Sequence, residues 1–209
     1  MITLYGFPKS RSLRISWLLE ELGVPWHYHL VNFNLGEHRS PEYLAITPSG
    51  KVPALTDVDL TLSESGAIAL YLAKRYGKGH LLPEPGTAED TQHDFWLCYI
   101  LTELEQPLWS LGKHRFALPK AHRVEAMLAT AQWEFAKALA EVEARIPEQG
   151  FLIGDSLTVA DIFLAHTLSW AVAFKQPIGP RAEAYRRRLS DRPARDRALA
   201  IETAALPPA

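Results

Sequence analysis

The sequence predicts an α/β domain on a small mixed sheet, followed by a domain made of helices alone. Three observations lead there. Through about residue 77, apolar runs of strand length alternate with segments whose apolar residues recur every three or four positions. A stretch carrying glycines, Pro83 and Pro85 then interrupts the pattern. Beyond it, only the helical period remains.

Residues 2–6 read as a strand, and Ser12 to Leu22 as a helix with Ile15, Leu18, Leu19 and Leu22 on one face. Gly23 is placed to stop that helix. Trp26 to Val31 reads as a second strand, so strand, helix and strand form a βαβ unit whose two strands run parallel. A short helix near Pro41 to Ile46 comes next, then brief strands around 53–57 and 60–62 joined by a tight turn at Asp57-Val58-Asp59. A helix from Ser65 to Tyr76 closes the set. The order β-α-β-α-β-β-α is what a thioredoxin-like domain with a mixed four-stranded sheet requires, which sets a first domain at 1–77, a linker at 78–88 and an all-helical domain at 89–209.

In the helical part, residues 89–117 form one long candidate helix in which Pro107 should kink or divide the turn behind it. From Ala121 to Ile146, Val124, Leu128, Ala131, Phe135, Leu139, Val142 and Ile146 form one core-facing stripe. Thr158 and Asp161 stand at capping-box spacing, with Leu157 and Ile162 placed as a hydrophobic staple, so a buried helix is expected to start at Thr158.

A chain of 209 residues with 47% hydrophobic content has enough apolar material for a good core. Its net charge of −2 recommends neither nucleic acid nor an anionic membrane as a partner. The single cysteine, Cys98, excludes an intramolecular disulfide and a CxxC redox pair, and it is expected to be a small buried residue. No apolar run approaches the roughly 18 residues of a spanning helix, and the start at Met1 lacks the pattern of a secretory signal, so the cytoplasm is the expected compartment.

The most informative segment is Gly50-Lys51-Val52-Pro53-Ala54-Leu55, with Leu62-Ser63-Glu64-Ser65 soon after it. Pro53 opens a strand, where a proline is tolerated, and a cis bond before it would turn the Val52 N–H and C=O outward to pair with an extended peptide. The hydroxyl of Ser65 and the N–H groups of its helix start suit a carboxylate, while Glu64 suits an ammonium. A peptide ligand that carries both groups side by side fits this arrangement.

The segment resembles the N-terminal domain of the glutathione transferase family, which binds glutathione with a cis-proline and a Glu-Ser pair. The likeness extends to Thr3-Leu4-Tyr5-Gly6, Ser10, Arg14 and Gly36-Glu37-His38-Arg39-Ser40-Pro41-Glu42, which look most like its serine-type, phi-like branch. That branch implies a transferase with glutathione as co-substrate and no other cofactor, acting on a small hydrophobic electrophile. In it, the serine matching Ser10 hydrogen-bonds the glutathione thiol. A free thiol with a pKa near 8.5 is only slightly ionised at neutral pH, and lowering that pKa by one or two units takes about 1.4 to 2.7 kcal/mol. One charged hydrogen bond, helped by a helix N-terminus, covers that range.

Tyr5 and Ser12 are the rivals of Ser10 for this role: tyrosine-type members keep a hydroxyl where Tyr5 falls, and Ser12 has a competing use as a helix cap. Carry-over assigns His38 and Lys51 to the glycyl carboxylate, beside Val52, Pro53, Glu64 and Ser65. Phe7, with Trp109, His114 and Phe116, is the expected wall of the electrophile pocket. His27 and His29 share a strand face but lack a third ligand at a recognisable spacing, so no metal is expected. Arg186-Arg187-Arg188 is interrupted by acids and reads as an ion-paired helix face. A homodimer is expected from the family, yet Thr47-Pro48-Ser49-Gly50 lacks the aromatic that phi-like members use at the position of Ser49 to plug the partner. Two other readings stay open: a non-catalytic binding or scaffold protein of the same fold, and glutathione-dependent peroxide reduction or dehalogenation at the same site.

Overall fold

The computed structural model describes residues 1–207; Pro208 and Ala209, the end of the stretch expected to be helical domain, lie outside the described residues. The chain forms two compact units. One comprises Met1–Leu82 together with the segment from Asp191 onward, and the other is Pro83–Ser190.

The first unit is built on four strands, β1 (Ile2–Gly6), β2 (Trp26–Leu30), β3 (Ala54–Asp57) and β4 (Leu60–Ser63), in the order β2-β1-β3-β4. Strands β1 and β2 are parallel and the other two pairings antiparallel, which gives the mixed sheet expected. Helix α1 (Ser12–Leu22) lies between β1 and β2 in sequence and ends where Gly23 takes the left-handed conformation, its N–H returning to the Leu19 carbonyl. Helices α2 (Pro41–Ile46) and α3 (Ser65–Tyr76) complete the βαβαββα order. At the hairpin, Asp57 is buried and accepts from the Tyr71 and Tyr76 hydroxyls, a role its turn position did not announce.

Helix α1 is buried on nearly every side, polar residues included: Ser12, Arg14 and Ser16 are all inaccessible. The last helix of the chain, α9 (Pro193–Ala204), belongs with this unit and not with the helical stretch 89–209 where its position in sequence put it. Polar pairs account for the attachment. Arg192 grips Glu21 with two hydrogen bonds, Arg197 bonds Glu20, and Ser16 donates to the buried Glu202 at 2.5 Å.

In the second unit, α4 (Ala88–Tyr99) passes through one wide π turn at Ile100–Leu104 into α5 (Glu105–Gly112) and a second π turn at Lys113–Ala117. Pro107 has no N–H to return to the preceding turn, and the first wide turn ends at Leu104, three residues before it, so the expected division of the long helix is found there. Helix α6 (Ala126–Arg145) buries Ala131, Phe135, Leu139 and Val142, but Val124 precedes the helix and is 51% exposed, so the core stripe begins later than its period implied. Cys98 is exposed, contrary to expectation, because it lies one position past the buried pair Trp96 and Leu97 on the outer side of α4. No helix among the described residues is long and apolar enough to cross a membrane.

Helix α7 (Val159–Ala173) starts with both halves of the expected capping box formed. The fully buried Asp161 carboxylate accepts from the Thr158 N–H and hydroxyl at 2.7 Å each, from the Leu152 N–H at 2.8 Å and from the Tyr185 hydroxyl at 2.5 Å. Tyr185 belongs to α8 (Pro180–Ser190), so one carboxylate ties a loop, a helix start and a second helix together. On α8, Glu183 pairs with Arg186 and Arg187, while Arg188 turns to the carbonyls of Glu148 and Gly150.

Replacing Asp161 with alanine strips four donors of their acceptor, three of them in buried contacts, at a cost of at least about 3 kcal/mol. Urea unfolding should show this as a clearly lowered midpoint. A second expectation concerns Glu202, which is 1% exposed. Burial raises its pKa from the ordinary 4.5 to about 7 against the opposing Ser16 hydrogen bond. The folded protein then binds a proton that the unfolded chain has lost, so the contribution is complete below pH 4.5 and declines as pH rises towards about 7. The loss amounts to roughly 3 kcal/mol. Glu202→Gln should flatten the stability profile between those limits and raise the melting temperature above pH 7; an unchanged profile would count against the buried neutral acid.

Candidate functional site

The loop from β1 to α1 is set by close packing. A Cβ on Gly6 would stand 2.8 Å from the Tyr28 ring and 2.9 Å from the Ser12 Oγ, so only glycine lets β1 and α1 approach this closely. Pro8 is buried, Phe7 is half-buried and Lys9 turns the chain with φ of 61°. Ser10 follows, half-buried. Its Oγ accepts the Ser12 N–H at 3.1 Å and its hydroxyl donates to the Ser12 Oγ at 2.9 Å. Ser12, wholly buried, also accepts the Phe7 N–H at 3.3 Å. Ser10 is therefore the residue that caps the first N–H of α1, and Ser12 is an interior acceptor, the reverse of the capping role weighed for Ser12.

Tyr5 points elsewhere. The alternation along β1 sends Leu4 into the core and Tyr5 to the opposite face of the sheet, where its ring meets His29 at 4.9 Å and Tyr43 at 6.1 Å. That packing gives the tyrosine a role between β2 and α2.

The 36–53 segment is folded by its own turns. Ser40 caps α2, accepting the Tyr43 N–H at 3.2 Å, and the Tyr43 hydroxyl donates to the Lys51 carbonyl at 2.6 Å. Gly50 has φ of +62°, and a Cβ there would come within 2.5 Å of the His38 carbonyl. The Lys51 side chain is exposed, Val52 is half-buried, Pro53 is buried, and the bond between those two is cis. Ser49 is exposed, its hydroxyl 3.1 Å from that of Thr47.

His38 stacks on Phe33 with centroids 4.4 Å apart, and Phe33 meets Phe7 edge-on at 5.2 Å. Burial, then the Arg39 charge, lowers the His38 pKa, so the ring is neutral at pH 7.

At the start of α3, Glu64 is exposed with φ of 68° and gives the helix no side-chain cap. Ser65 is buried, and its Oγ accepts from the Arg14 guanidinium at 3.2 Å. The sequence displayed Arg14 within the family-like motif, but nothing local signalled that this charged side chain is inaccessible or that its partner lies on another helix.

The remaining site residues divide between the units. Phe7 lies in the first, while Trp109, His114 and Phe116 lie in the second. Trp109 and His114 are half-buried, and Phe116 is exposed, edge-on to Phe174 at 6.1 Å. His114 uses its Nδ1 to accept the Val124 N–H at 3.1 Å, so that nitrogen serves the loop behind it. His27 and His29 are both exposed beside the buried Tyr28, and among the described residues no three His, Cys, Asp or Glu side chains gather as a metal site needs.

Residues 1–74 match the family model described as Glutathione S-transferase, N-terminal domain, and residues 122–191 match the one described as Glutathione S-transferase, C-terminal domain. Glutathione S-transferase 1 of Zea mays is 35% identical over 188 residues, which cover 87% of this chain and 85% of that protein. A solved glutathione transferase from Methylococcus capsulatus str. Bath has a TM-score of 0.84 at 31% identity, covering 98% of this chain and 100% of its own. The glutathione transferase URE2P6 from Phanerochaete chrysosporium, solved in complex with oxidized glutathione, has a TM-score of 0.83 at 28% identity, covering 97% and 96% of the two chains. With both domain models matched in order and a relative above 30% identity along most of its length, the chain belongs to the glutathione S-transferase family.

Proposed function

We propose that this protein is a glutathione transferase which binds the tripeptide on its first unit, ionises the thiol with Ser10 and directs the thiolate at a small hydrophobic electrophile. The observation that carries the reading is the first turn, where a half-exposed serine hydroxyl stands at the start of α1 in a chain of this family. Val52 and Pro53 supply the edge for the peptide backbone, Glu64 and Ser65 take the γ-glutamyl amine and carboxylate, and His38 and Lys51 take the glycyl carboxylate.

The mechanism needs one rearrangement. In the resting geometry the Ser10 hydrogen is spent on the Ser12 Oγ. Rotation about the Ser10 Cα–Cβ bond, or about its C–O bond, releases that hydrogen to a sulfur, and Ser12 keeps the Phe7 N–H as a donor. The thiol proton leaves to solvent, and the thiolate gains a hydrogen bond to a charged acceptor together with the potential of the helix N-terminus. The thiolate sulfur then forms its bond to the electrophilic carbon while the leaving group departs, or while the acceptor double bond takes up the electron pair. Phe7, beside Ser10 on the first unit, is the side chain we assign to the apolar substrate. We further assign a cytoplasmic homodimer, whose interface uses contacts other than an aromatic plug at Ser49.

Spectroscopic titration of the bound glutathione thiol separates the candidates. In Ser10→Ala the thiol pKa should rise by about one to two units towards the free value, and kcat/KM at neutral pH should fall roughly 10- to 100-fold. Tyr5→Phe should leave the thiol pKa where it was. An unchanged value in Ser10→Ala removes the serine from the mechanism. Failure of the wild type both to bind immobilised glutathione and to conjugate an aryl halide would favour a scaffold protein instead.

A further inference from the structure

Arg14 is one of the largest side chains in the molecule to be wholly inaccessible. Arginine is almost never buried completely unless its donors are engaged, because removing a guanidinium from water costs several kcal/mol. One of its donors reaches the Ser65 Oγ at 3.2 Å, across 51 positions of sequence and from α1 to the first residue of α3.

The direction of that hydrogen bond matters. Arginine has donors only, so the Ser65 oxygen must be the acceptor. A hydroxyl has a single hydrogen, and in this contact it is not used on Arg14. It is left for an acceptor on the other side of Ser65, next to the first N–H groups of α3, which Glu64 leaves without a side-chain cap. A serine held in this way keeps its hydrogen available to an anionic acceptor.

We propose that Arg14 is a positioning residue for the γ-glutamyl carboxylate of glutathione, acting through Ser65. The inference rests on the glutathione-binding reading of Glu64 and Ser65. Arg14 touches no ligand; it fixes the Ser65 oxygen from within the core, so that the hydroxyl hydrogen and the helix start converge on the carboxylate without being ordered by it. Side-chain freedom that is removed before binding is not lost on binding, which is the usual gain from preorganisation.

A purely structural tie between α1 and α3 would affect every ligand of the groove alike, and this separates the two roles. Binding of glutathione and of γ-aminobutyryl-cysteinylglycine, which lacks only that carboxylate, would be measured by titration calorimetry for wild type, Arg14→Met, Ser65→Ala and the double variant. Arg14→Met should weaken glutathione about tenfold and leave the decarboxylated peptide within twofold of its wild-type affinity. Ser65→Ala should show the same selectivity, and the double variant should be no weaker than either single one. Equal losses for the two peptides, or losses that add in the double variant, would overturn the proposal. If Arg14→Met does not fold, Arg14→Lys replaces it in the same comparison, since lysine keeps the charge but loses the forked donors. A wild type that binds neither peptide would instead sink the glutathione reading beneath it.

Discussion

The first unit depends on one constraint, the burial of α1 on almost all sides. A helix so enclosed has no water to satisfy its polar side chains, and each one must find a partner on a neighbouring element. Ser12 answers the Phe7 N–H at the end of β1, Arg14 answers Ser65 on α3, and Ser16 answers Glu202 on α9. At the far end of the helix, Glu21 takes the Trp17 indole N–H and two hydrogen bonds from Arg192. Burial pushes the Glu21 pKa up, yet the hydrogen bonds of Arg192 and Trp17 outweigh it and leave the carboxyl lowered, so this pair stays charged. The apolar residues Ile15, Leu18 and Leu19 supply the driving force of the packing. The polar ones decide which elements it brings together.

The second unit solves the same problem with a single group. Helix α7 is apolar around its circumference, with Val159, Ile162, Phe163, Leu164 and Leu168 all buried, so its orientation is poorly specified by hydrophobicity alone. Asp161 specifies it. An ionised carboxylate has about four acceptor sites, and four protein donors reach this one. The capping box thus starts the helix and, through Leu152 and Tyr185, also fixes what lies over it. Whereas α1 spreads its polar contacts over two turns, α7 concentrates them at its first.

This difference explains what the sequence made legible. The capping box could be read because both members lie within four residues, and α1 could be bounded because Gly23 ends it locally. The βαβαββα order followed from period and punctuation alone. The docking of α9 could not be read, since Ser16 and Glu202 are 186 positions apart and neither residue type announces the other. The exposure of Cys98 and Val124 was missed for a related reason, because an apolar period tells which residues share a face but not where the neighbouring element stops. Around the candidate site, Ser10, Pro53, Glu64 and Ser65 were visible as short motifs. The hydrogen bond that occupies Ser10 and the guanidinium behind Ser65 were not, because both depend on side chains meeting across the loop or across the core.

The Ser16 hydroxyl shows how closely such meetings are balanced. It has one hydrogen and two acceptors in reach, the Ser12 carbonyl at 3.2 Å and the Glu202 Oε1 at 2.5 Å. If Glu202 were ionised it would claim that hydrogen, and its Oε2 would still have no partner among the described residues, nor would the buried Tyr28 hydroxyl. Two negative or orphaned oxygens would then share an apolar interior. When Glu202 is neutral, its acid proton can serve the short contact and the Ser16 hydrogen can return to the helix carbonyl, which leaves Oε2 as an uncharged orphan acceptor and no charge in the interior. The raised pKa of Glu202 and the raised pKa of Tyr28 have this common origin, burial first and their mutual proximity second for the phenol. The ion pairs Arg192–Glu21, half-buried, and Arg197–Glu20, whose arginine is exposed, lie at the rim of the same α1–α9 contact, so α9 is held by charge at its edge and by neutrality at its centre.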